Sequence, residues 1–184
     1  MDERIILYHA GCDDGFAAAW AAWLTLQDRA RYLPVNYGEA PPEIPDGAVV
    51  TIVDFSYPRD VLLALRERCL VHVLDHHKTA AADLAGLDFA VFDMNKSGAR
   101  LAWEYFHPGI EVPPLIGHVE DRDLWRFALP ETKEISAWLR SWPREFARWT
   151  WAHEEVVLDR DVVVAEGRAI LRANAQHVEA HVRS

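Results

Sequence analysis

Cysteine is scarce in this chain of 184 residues, which contains only Cys12 and Cys69 and no Cys-x-x-Cys pair. A disulfide framework and a zinc site built on paired cysteines are therefore excluded. Long apolar runs are also absent: the longest has nine residues, from Phe16 to Leu24, whereas a membrane helix needs about 20. The N-terminal segment is acidic and lacks the apolar stretch of a signal peptide. The sequence therefore predicts a soluble, cytoplasmic protein with no membrane partner.

Positive charge is in short supply, because 19 Lys and Arg stand against 29 Asp and Glu, a formal net charge of −10. A protein that coats long nucleic acid needs the opposite balance, so that function is disfavoured. Small phosphorylated or nucleotide substrates fit the acidic charge better. With 51% apolar and 11% aromatic residues, the chain is not disordered and can bury a core.

Short apolar runs alternate with helical stretches in the first half of the chain. Near-continuous apolar strands separated by helices predict an α/β fold, with a parallel sheet covered by helices on both faces. The expected strands are residues 5–8, 49–53, 70–74 and 89–92, and the expected helices are residues 16–30 and 58–68.

The second half of the chain, from Ser97 onward, has a helical pattern and contains most of the tryptophans. We expect helix packing for these indoles, with an interaction surface as the alternative. One long amphipathic helix is predicted from His153 to the end. The expected domains are a catalytic domain over residues 1–152 and a C-terminal helix over residues 153–184, which could link to an absent second domain.

Acidic and histidine side chains follow three of the predicted strands directly. In an open parallel sheet, the carboxyl ends of the strands line one crevice, where ligands bind. Clustered carboxylates repel one another unless a cation is present, and Asp with His suits Mn²⁺, Fe²⁺, Co²⁺ or Zn²⁺. Two such ions can activate water against a phosphoester. The residues concerned are His9, Asp13, Asp14, Asp54, Asp75, His76 and His77.

These same segments resemble the motifs of the DHH phosphoesterase superfamily. Asp75-His76-His77, preceded by an apolar strand, resembles the signature motif of that superfamily. Together with three other segments that resemble motifs of the superfamily, it makes four motifs in the right order over residues 8 to 125, and a further segment resembles a small-residue turn. These other segments are Tyr8 to Phe16 for the first motif, Val53 to Ser56 for the second, Lys96 to Ala99 for the small-residue turn, and Glu120 to Trp125 for the fourth.

The resemblance implies one or two divalent ions, typically Mn²⁺ with Mg²⁺ or Co²⁺ as options, and hydrolysis of phosphodiesters or phosphoanhydrides by water. His77 is then expected to face the substrate phosphate, and Asp75 to orient a histidine. By position, the implied metal ligands are His9, Asp14, Asp54, His76 and Asp121. The implied substrate-binding residues are Lys78, Ser97, Gly98 and Arg122, although Ser97 could equally be a plain helix cap.

The chain departs from the family pattern in two respects. Many members carry Asp-x-Asp-Gly in the first motif, but here the first acidic position is Cys12. Cys12 is a thiolate ligand, a small core residue or the sign of a weakened second metal site, and we favour the core residue. Adjacent residues on the extended end of a strand point to opposite sides, so Asp13 and Asp14 are not expected to bind one ion together. Asp14 is preferred to Asp13 as the ligand because it precedes Gly15, as the motif requires.

The second departure is length, because family members usually continue into a smaller, Gly-rich substrate-binding domain. Gly167 is the only glycine in the last sixty residues. We therefore expect either a natural single domain or a fragment, completed by a partner domain or a homo-oligomer.

The leading hypothesis is a metal-dependent phosphoesterase that hydrolyses phosphodiester bonds of a small nucleotide, such as a short oligonucleotide or a cyclic dinucleotide. One alternative is a degenerate nucleotide- or metal-binding module without catalysis. Another is pyrophosphate hydrolysis.

Overall fold

The computed structural model describes residues 3–182, with side chains described through residue 178. It comprises two compact units, Met1–Val112 and Pro113–Ser184, which are described separately below. The boundary between these two units, after Val112, lies earlier in the chain than the expected boundary between residues 152 and 153. That boundary stays a prediction about domains.

The first unit is built on five parallel strands in the order β2-β1-β3-β4-β5. This confirms the predicted α/β fold with a parallel sheet. The strands are β1 (Arg4–His9), β2 (Arg31–Val35), β3 (Val49–Val53), β4 (Leu70–Asp75) and β5 (Ala90–Phe92). The helices of this unit are α1 (Asp13–Leu26), α2 (Arg59–Arg66), α3 (Lys78–Asp83) and α4 (Gly98–Phe106), with a short 3₁₀ helix at Gln27–Arg29.

Strand β2 was not predicted from the sequence. Its five residues include Pro34 and begin with the exposed Arg31, a composition that speaks against a central strand. The structure places β2 at the edge of the sheet, hydrogen-bonded only to β1. An edge strand tolerates proline because one side of its backbone needs no ladder partner, and this explains why the pattern was missed.

Helices cover both faces of the sheet. On one face, Ile5 and Leu7 of β1 lie in one buried cluster with Leu62 and Leu65 of α2. Helices α1 and α4 pack against the strands and against each other but contribute nothing to that cluster, so they cover the opposite face. The Ala-rich sequence of α1 allows this close packing, and its Trp20 ring stacks on a ring of α4.

The second unit is helical, as predicted for the C-terminal half. Its helices are α5 (Pro114–Asp123), α6 (Thr132–Leu139), α7 (Phe146–Leu158) and α8 (Arg160–Val182). The long terminal helix begins at Arg160 rather than His153, because the helical conformation is interrupted at Asp159. The Asp159 carbonyl accepts hydrogen bonds from Val162 and Val163, and aspartate is favoured at the residue before a helix.

Two of the tryptophans of this unit, Trp138 and Trp149, are 2% and 1% exposed and serve in packing. The Trp138 indole donates to Glu166 of α8 at 2.7 Å. Gly167 permits the close crossing of α8 over α6, since a Cβ there would lie 2.1 Å from the Glu134 carbonyl oxygen. Within residues 3–182, no helix has both the length and the apolar character needed to cross a membrane.

Candidate metal centre

The candidate site lies where three neighbouring strands end. His9 is the last residue of β1, Asp54 directly follows β3, and Asp75 is the last residue of β4. The chain leaves β1 toward β2 on one side, and later adds β3 and β4 on the other. Connections that diverge in this way open a crevice at the carboxyl ends of the strands.

Asp54 is the centre of the cluster. Its Oδ1 lies 3.1 Å from His76 Nε2, and its Oδ2 lies 3.6 Å from His9 Nδ1. The residue is 1% exposed, yet its Oδ2 accepts no hydrogen bond. Its backbone is left-handed, with φ of 54°, a conformation that costs free energy and is common at functional sites. The carboxylate therefore presents one oxygen to each imidazole.

Two glycines allow helices to approach this cluster closely. A Cβ on Gly98, at the start of α4, would lie 2.4 Å from the Asp54 Cβ. A Cβ on Gly15 in α1 would lie 2.3 Å from the His9 carbonyl oxygen. Atoms cannot approach this closely, so only glycine fits these two positions without displacing His9 or Asp54.

Asp14 joins α1 to the start of α4. Its carboxylate accepts hydrogen bonds from the backbone N–H groups of Gly98 at 2.7 Å and Ala99 at 2.9 Å. Its Oδ2 also lies 3.6 Å from His76 Nε2. Asp14 is 1% exposed, whereas Asp13 belongs to no candidate metal group among the described side chains. Asp14 is thus held rigidly beside His76.

Asp75 orients the last histidine of the motif. The buried Asp75 Oδ1 accepts the backbone N–H of His76 at 2.7 Å and lies 2.6 Å from His77 Nδ1. The Nδ1 atom therefore carries the proton that is shared with Asp75, which directs the Nε2 edge of the ring away from that carboxylate. The Tyr37 hydroxyl lies 3.4 Å from the same Nδ1.

The electrostatics of the cluster favour an ionised Asp54. Burial raises the pKa of Asp54, but the neighbouring imidazoles of His76 and His9 outweigh it and bring the pKa to about 2. Burial and the negative charge of Asp54 raise the pKa of the Cys12 thiol to about 12. Burial, followed by the charges of Asp75 and Asp54, also raises the pKa of Tyr37. A buried anion is costly unless it is paired, so this carboxylate is a favourable place for a cation.

The residues present fit a divalent ion. Asp54, Asp75, His76 and His77 offer ligand atoms that all lie within 4.8 Å of one another, and so do His9, Cys12 and Asp54. The buried Oδ2 of Asp54 has an unused acceptor site. Imidazole with carboxylate suits first-row transition ions. The cluster is a candidate metal site on these grounds, and the structure gives no identity for the ion.

Cys12 does not belong to the hydrophobic core for which we favoured it. It is half-buried and precedes α1, where its side chain makes no capping hydrogen bond. It lies in the group formed with His9 and Asp54.

Four predicted residues have other surroundings, and their expected roles stay predictions. Lys78 is the exposed first residue of α3, and Arg122 is half-buried on α5. Ser97 is buried, and its hydroxyl accepts the backbone N–H of Arg100 as a helix cap. The Gly98 N–H, expected to meet substrate, donates to Asp14 instead.

Asp121, the fifth predicted ligand, lies in the second unit. Its carboxylate accepts the backbone N–H groups of Ala128 and Leu129 and the Thr132 hydroxyl, the last at 2.6 Å. Burial raises the pKa of Asp121, but these hydrogen bonds outweigh it and lower the pKa below its usual value. The Thr132 hydroxyl also lies 2.9 Å from Nδ1 of the buried His118. Within its unit, Asp121 therefore anchors the loop before α6, and its role as a ligand stays a prediction.

Sequence reasoning missed Tyr37 and Phe55. The Tyr37 ring packs 4.6 Å from that of Phe55 and edge-on to His9 at 5.2 Å, and it is 52% exposed. Phe55 is buried directly after Asp54. Recognising β2 would have placed Tyr37 at the same edge of the sheet as the acids, because it follows that strand by two residues.

Comparisons with known proteins agree with the fold and leave the activity open. No protein-family model matches the chain. An uncharacterized protein of Acanthamoeba polyphaga mimivirus is 31% identical over 177 residues, which cover 86% of this chain and 42% of the viral protein. The crystal structure of an uncharacterized protein from Helicobacter pylori superposes with a TM-score of 0.66 at 15% identity, over 94% of this chain and 62% of that one. The chain thus spans less than two thirds of each of these proteins.

Fold and site together define an α/β protein with a candidate metal centre of Asp and His residues at the carboxyl edge of a parallel sheet.

Proposed function

We propose that the protein is a divalent-metal-dependent phosphoesterase that hydrolyses phosphodiester bonds of a small nucleotide. The observation that carries this proposal is the buried Asp54 carboxylate, with His76 at one oxygen and His9 at the other. The resemblance of its surrounding segments to the DHH phosphoesterase motifs supports the same activity.

The residues that would hold the metal are His9, Asp14, Asp54 and His76, with Mn²⁺ as the expected ion. A bound divalent cation supplies Lewis-acid chemistry, since it neutralises phosphate charge and makes water a stronger acid. Asp54 contributes a carboxylate whose pKa of about 2 keeps it ionised near neutral pH. Asp14 is held in place by its hydrogen bonds to the start of α4.

His77 and Asp75 have different tasks in this proposal. Asp75 accepts a hydrogen bond from His77 Nδ1–H, so it fixes the orientation of the ring. In the imidazolium form of His77 both ring nitrogens carry a proton, and Nε2 then donates a hydrogen bond to a phosphate oxygen. Tyr37 packs beside both His9 and His77 and is 52% exposed, so its ring is accessible for a base to stack on.

The test is hydrolysis of bis-p-nitrophenyl phosphate, a short oligonucleotide, a cyclic dinucleotide and pyrophosphate, each with Mn²⁺ and with EDTA. The decisive variant is Asp54→Asn, because asparagine has nearly the same shape and also tolerates the left-handed backbone. Its matched control is Asp60→Asn, an exposed aspartate on α2. We expect at least a hundredfold loss of turnover in Asp54→Asn, roughly 2.7 kcal/mol in barrier height, and none in the control.

Equal turnover in Asp54→Asn and wild type would refute the proposal. Metal and nucleotide binding in calorimetry, without turnover of any substrate, would instead favour the binding module without catalysis. Turnover confined to pyrophosphate would favour phosphoanhydride hydrolysis.

A further inference from the structure

Cys12 lies beside the candidate centre, at a position where many members of the family carry an aspartate. The proposed function assigns no role to this cysteine. Cys12 precedes α1 with an extended backbone, φ −105° and ψ 142°, and its side chain does not cap the helix. Its sulfur lies within 4.8 Å of ligand atoms of both His9 and Asp54. Three different donor types, a thiol, an imidazole and a carboxylate, therefore converge at one point.

A second observation marks the same point independently of the cysteine. Asp54 Oδ2 is buried, accepts no hydrogen bond and faces His9 Nδ1 at 3.6 Å. A buried carboxylate oxygen without a partner is costly, and a cation is one way to satisfy it. The other oxygen of Asp54 is already engaged by His76.

The donor types differ on the two sides of Asp54. On the His76 side, the neighbouring groups are the carboxylates of Asp14 and Asp54 with one imidazole. On the His9 side, sulfur replaces a second carboxylate. Carboxylate-rich positions suit Mn²⁺ and Mg²⁺, whereas thiolate and imidazole favour Zn²⁺ and similar ions.

We propose that Cys12, His9 and Asp54 form a thiolate-containing metal position that selects Zn²⁺ or Co²⁺ over Mn²⁺ and Mg²⁺. This inference rests on the proposed function, since it concerns one side of the same centre. The sulfur binds as the thiolate, so each ion bound releases the thiol proton to the buffer. Three protein ligands would leave a coordination position open for water or substrate, as in catalytic zinc sites.

Cobalt provides a readout that does not depend on activity. The metal-free protein is titrated with Co²⁺, and a sulfur-to-cobalt charge-transfer band in the near ultraviolet reports the thiolate ligand. We expect this band in the wild type and its loss in Cys12→Ser. The matched control is Cys69→Ser, because Cys69 is buried and its thiol lies 3.5 Å from the Pro45 carbonyl oxygen. The control keeps the band.

Competition with Zn²⁺ measures the selectivity. Cys12→Ser should weaken Zn²⁺ binding by more than about tenfold, because even the loss of an outer partner of a ligand costs that much. Cys12→Asp, which restores the acidic position of the family pattern, should raise the affinity for Mn²⁺ relative to Zn²⁺. Circular dichroism of each variant verifies the fold.

The outcomes separate this inference from the proposed function. Co²⁺ binding without a charge-transfer band in the wild type overturns the thiolate position, and so does a band that survives in Cys12→Ser. Either result leaves the phosphoesterase standing if Mn²⁺-dependent turnover still requires Asp54. A band that requires Cys12, without turnover of any substrate, supports the metal position and refutes the phosphoesterase. Absence of Co²⁺ binding overturns the thiolate position, and Mn²⁺-dependent turnover that requires Asp54 then decides the phosphoesterase alone.

Discussion

The close contact between α4 and Asp54 makes a sharp prediction about Gly98. In Gly98→Ala, the new Cβ would lie 2.4 Å from the Asp54 Cβ, 2.7 Å from its Oδ1 and 2.8 Å from its Cα. Carbon atoms prefer separations of about 3.5–4.0 Å, so the start of α4 must move away by at least about 1 Å. Two of the three clashing atoms are not the far end of a side chain, so a change of rotamer cannot relieve the contact.

The expected cost has two parts. Overpacking of a tight site typically costs about 1–3 kcal/mol. The same movement lengthens the hydrogen bonds from Gly98 and Ala99 to Asp14, now 2.7 and 2.9 Å, and a hydrogen bond to a charged group contributes about 1.5–3 kcal/mol. Partial loss of these bonds with moderate overpacking lowers the free energy of unfolding by about 3 kcal/mol. Because Asp14 then loses donors that hold its carboxylate beside His76, metal affinity should fall as well.

Urea unfolding followed by circular dichroism measures this effect, with metal binding measured by calorimetry. The control is Gly117→Ala in the interior of α5, where the new Cβ meets its nearest neighbour, Leu129, at an ordinary 3.7 Å. There the substitution should stabilise the protein by up to about 1 kcal/mol, since alanine is the better helix former. A Gly98→Ala variant as stable as wild type, with unchanged metal affinity, would refute the reasoning.

Two further predictions concern titration and orientation. Burial and the positive charge of Arg160 lower the pKa of His118 from 6.5 to about 4, so the unfolded chain takes up the proton first. The free energy of unfolding is therefore highest above pH 6.5 and falls by about 3 kcal/mol at most as the pH is lowered toward 4. His118→Asn should flatten that part of a plot of the urea midpoint against pH. A plot identical to that of the wild type would contradict the assignment. Asp75→Asn removes the charge that holds His77 Nδ1 at 2.6 Å. It should reduce kcat by about 10–100-fold with little change in KM, as measured by steady-state kinetics. An unchanged kcat would exclude the orienting role of Asp75.

The parallel sheet was predictable because its strands carry strong local signals. β3 is a run of β-branched residues, and β1 and β4 are nearly continuous apolar runs, the pattern of strands that are buried on both faces. β2 was not predicted because Pro34 is compatible with a strand only at the edge of a sheet, and a sequence does not say which strand is at the edge. The interruption between α7 and α8 at Asp159 was not predicted either, since apolar positions continue on both sides of it.

The site was predictable as a set of residues but not as an arrangement. The positions of His9, Asp54 and Asp75 at strand ends, together with parallel strands, indicated that their side chains would converge. The sequence did not reveal that Asp14 would bind the start of α4, which uses the Gly98 N–H that we expected to meet substrate. Nor did it reveal that Tyr37 would pack against His9.

By itself, then, the sequence determined which side chains are available and at which end of each strand they lie, because strand periodicity and apolar runs are local properties of the chain. Only the tertiary structure decided their partners. The contact of Asp54 with Gly98 and the grouping of Asp54 with His9 and Cys12 join segments that are distant along the chain. Such contacts depend on how helices pack against the sheet to within about 1 Å, and local patterns do not carry that information.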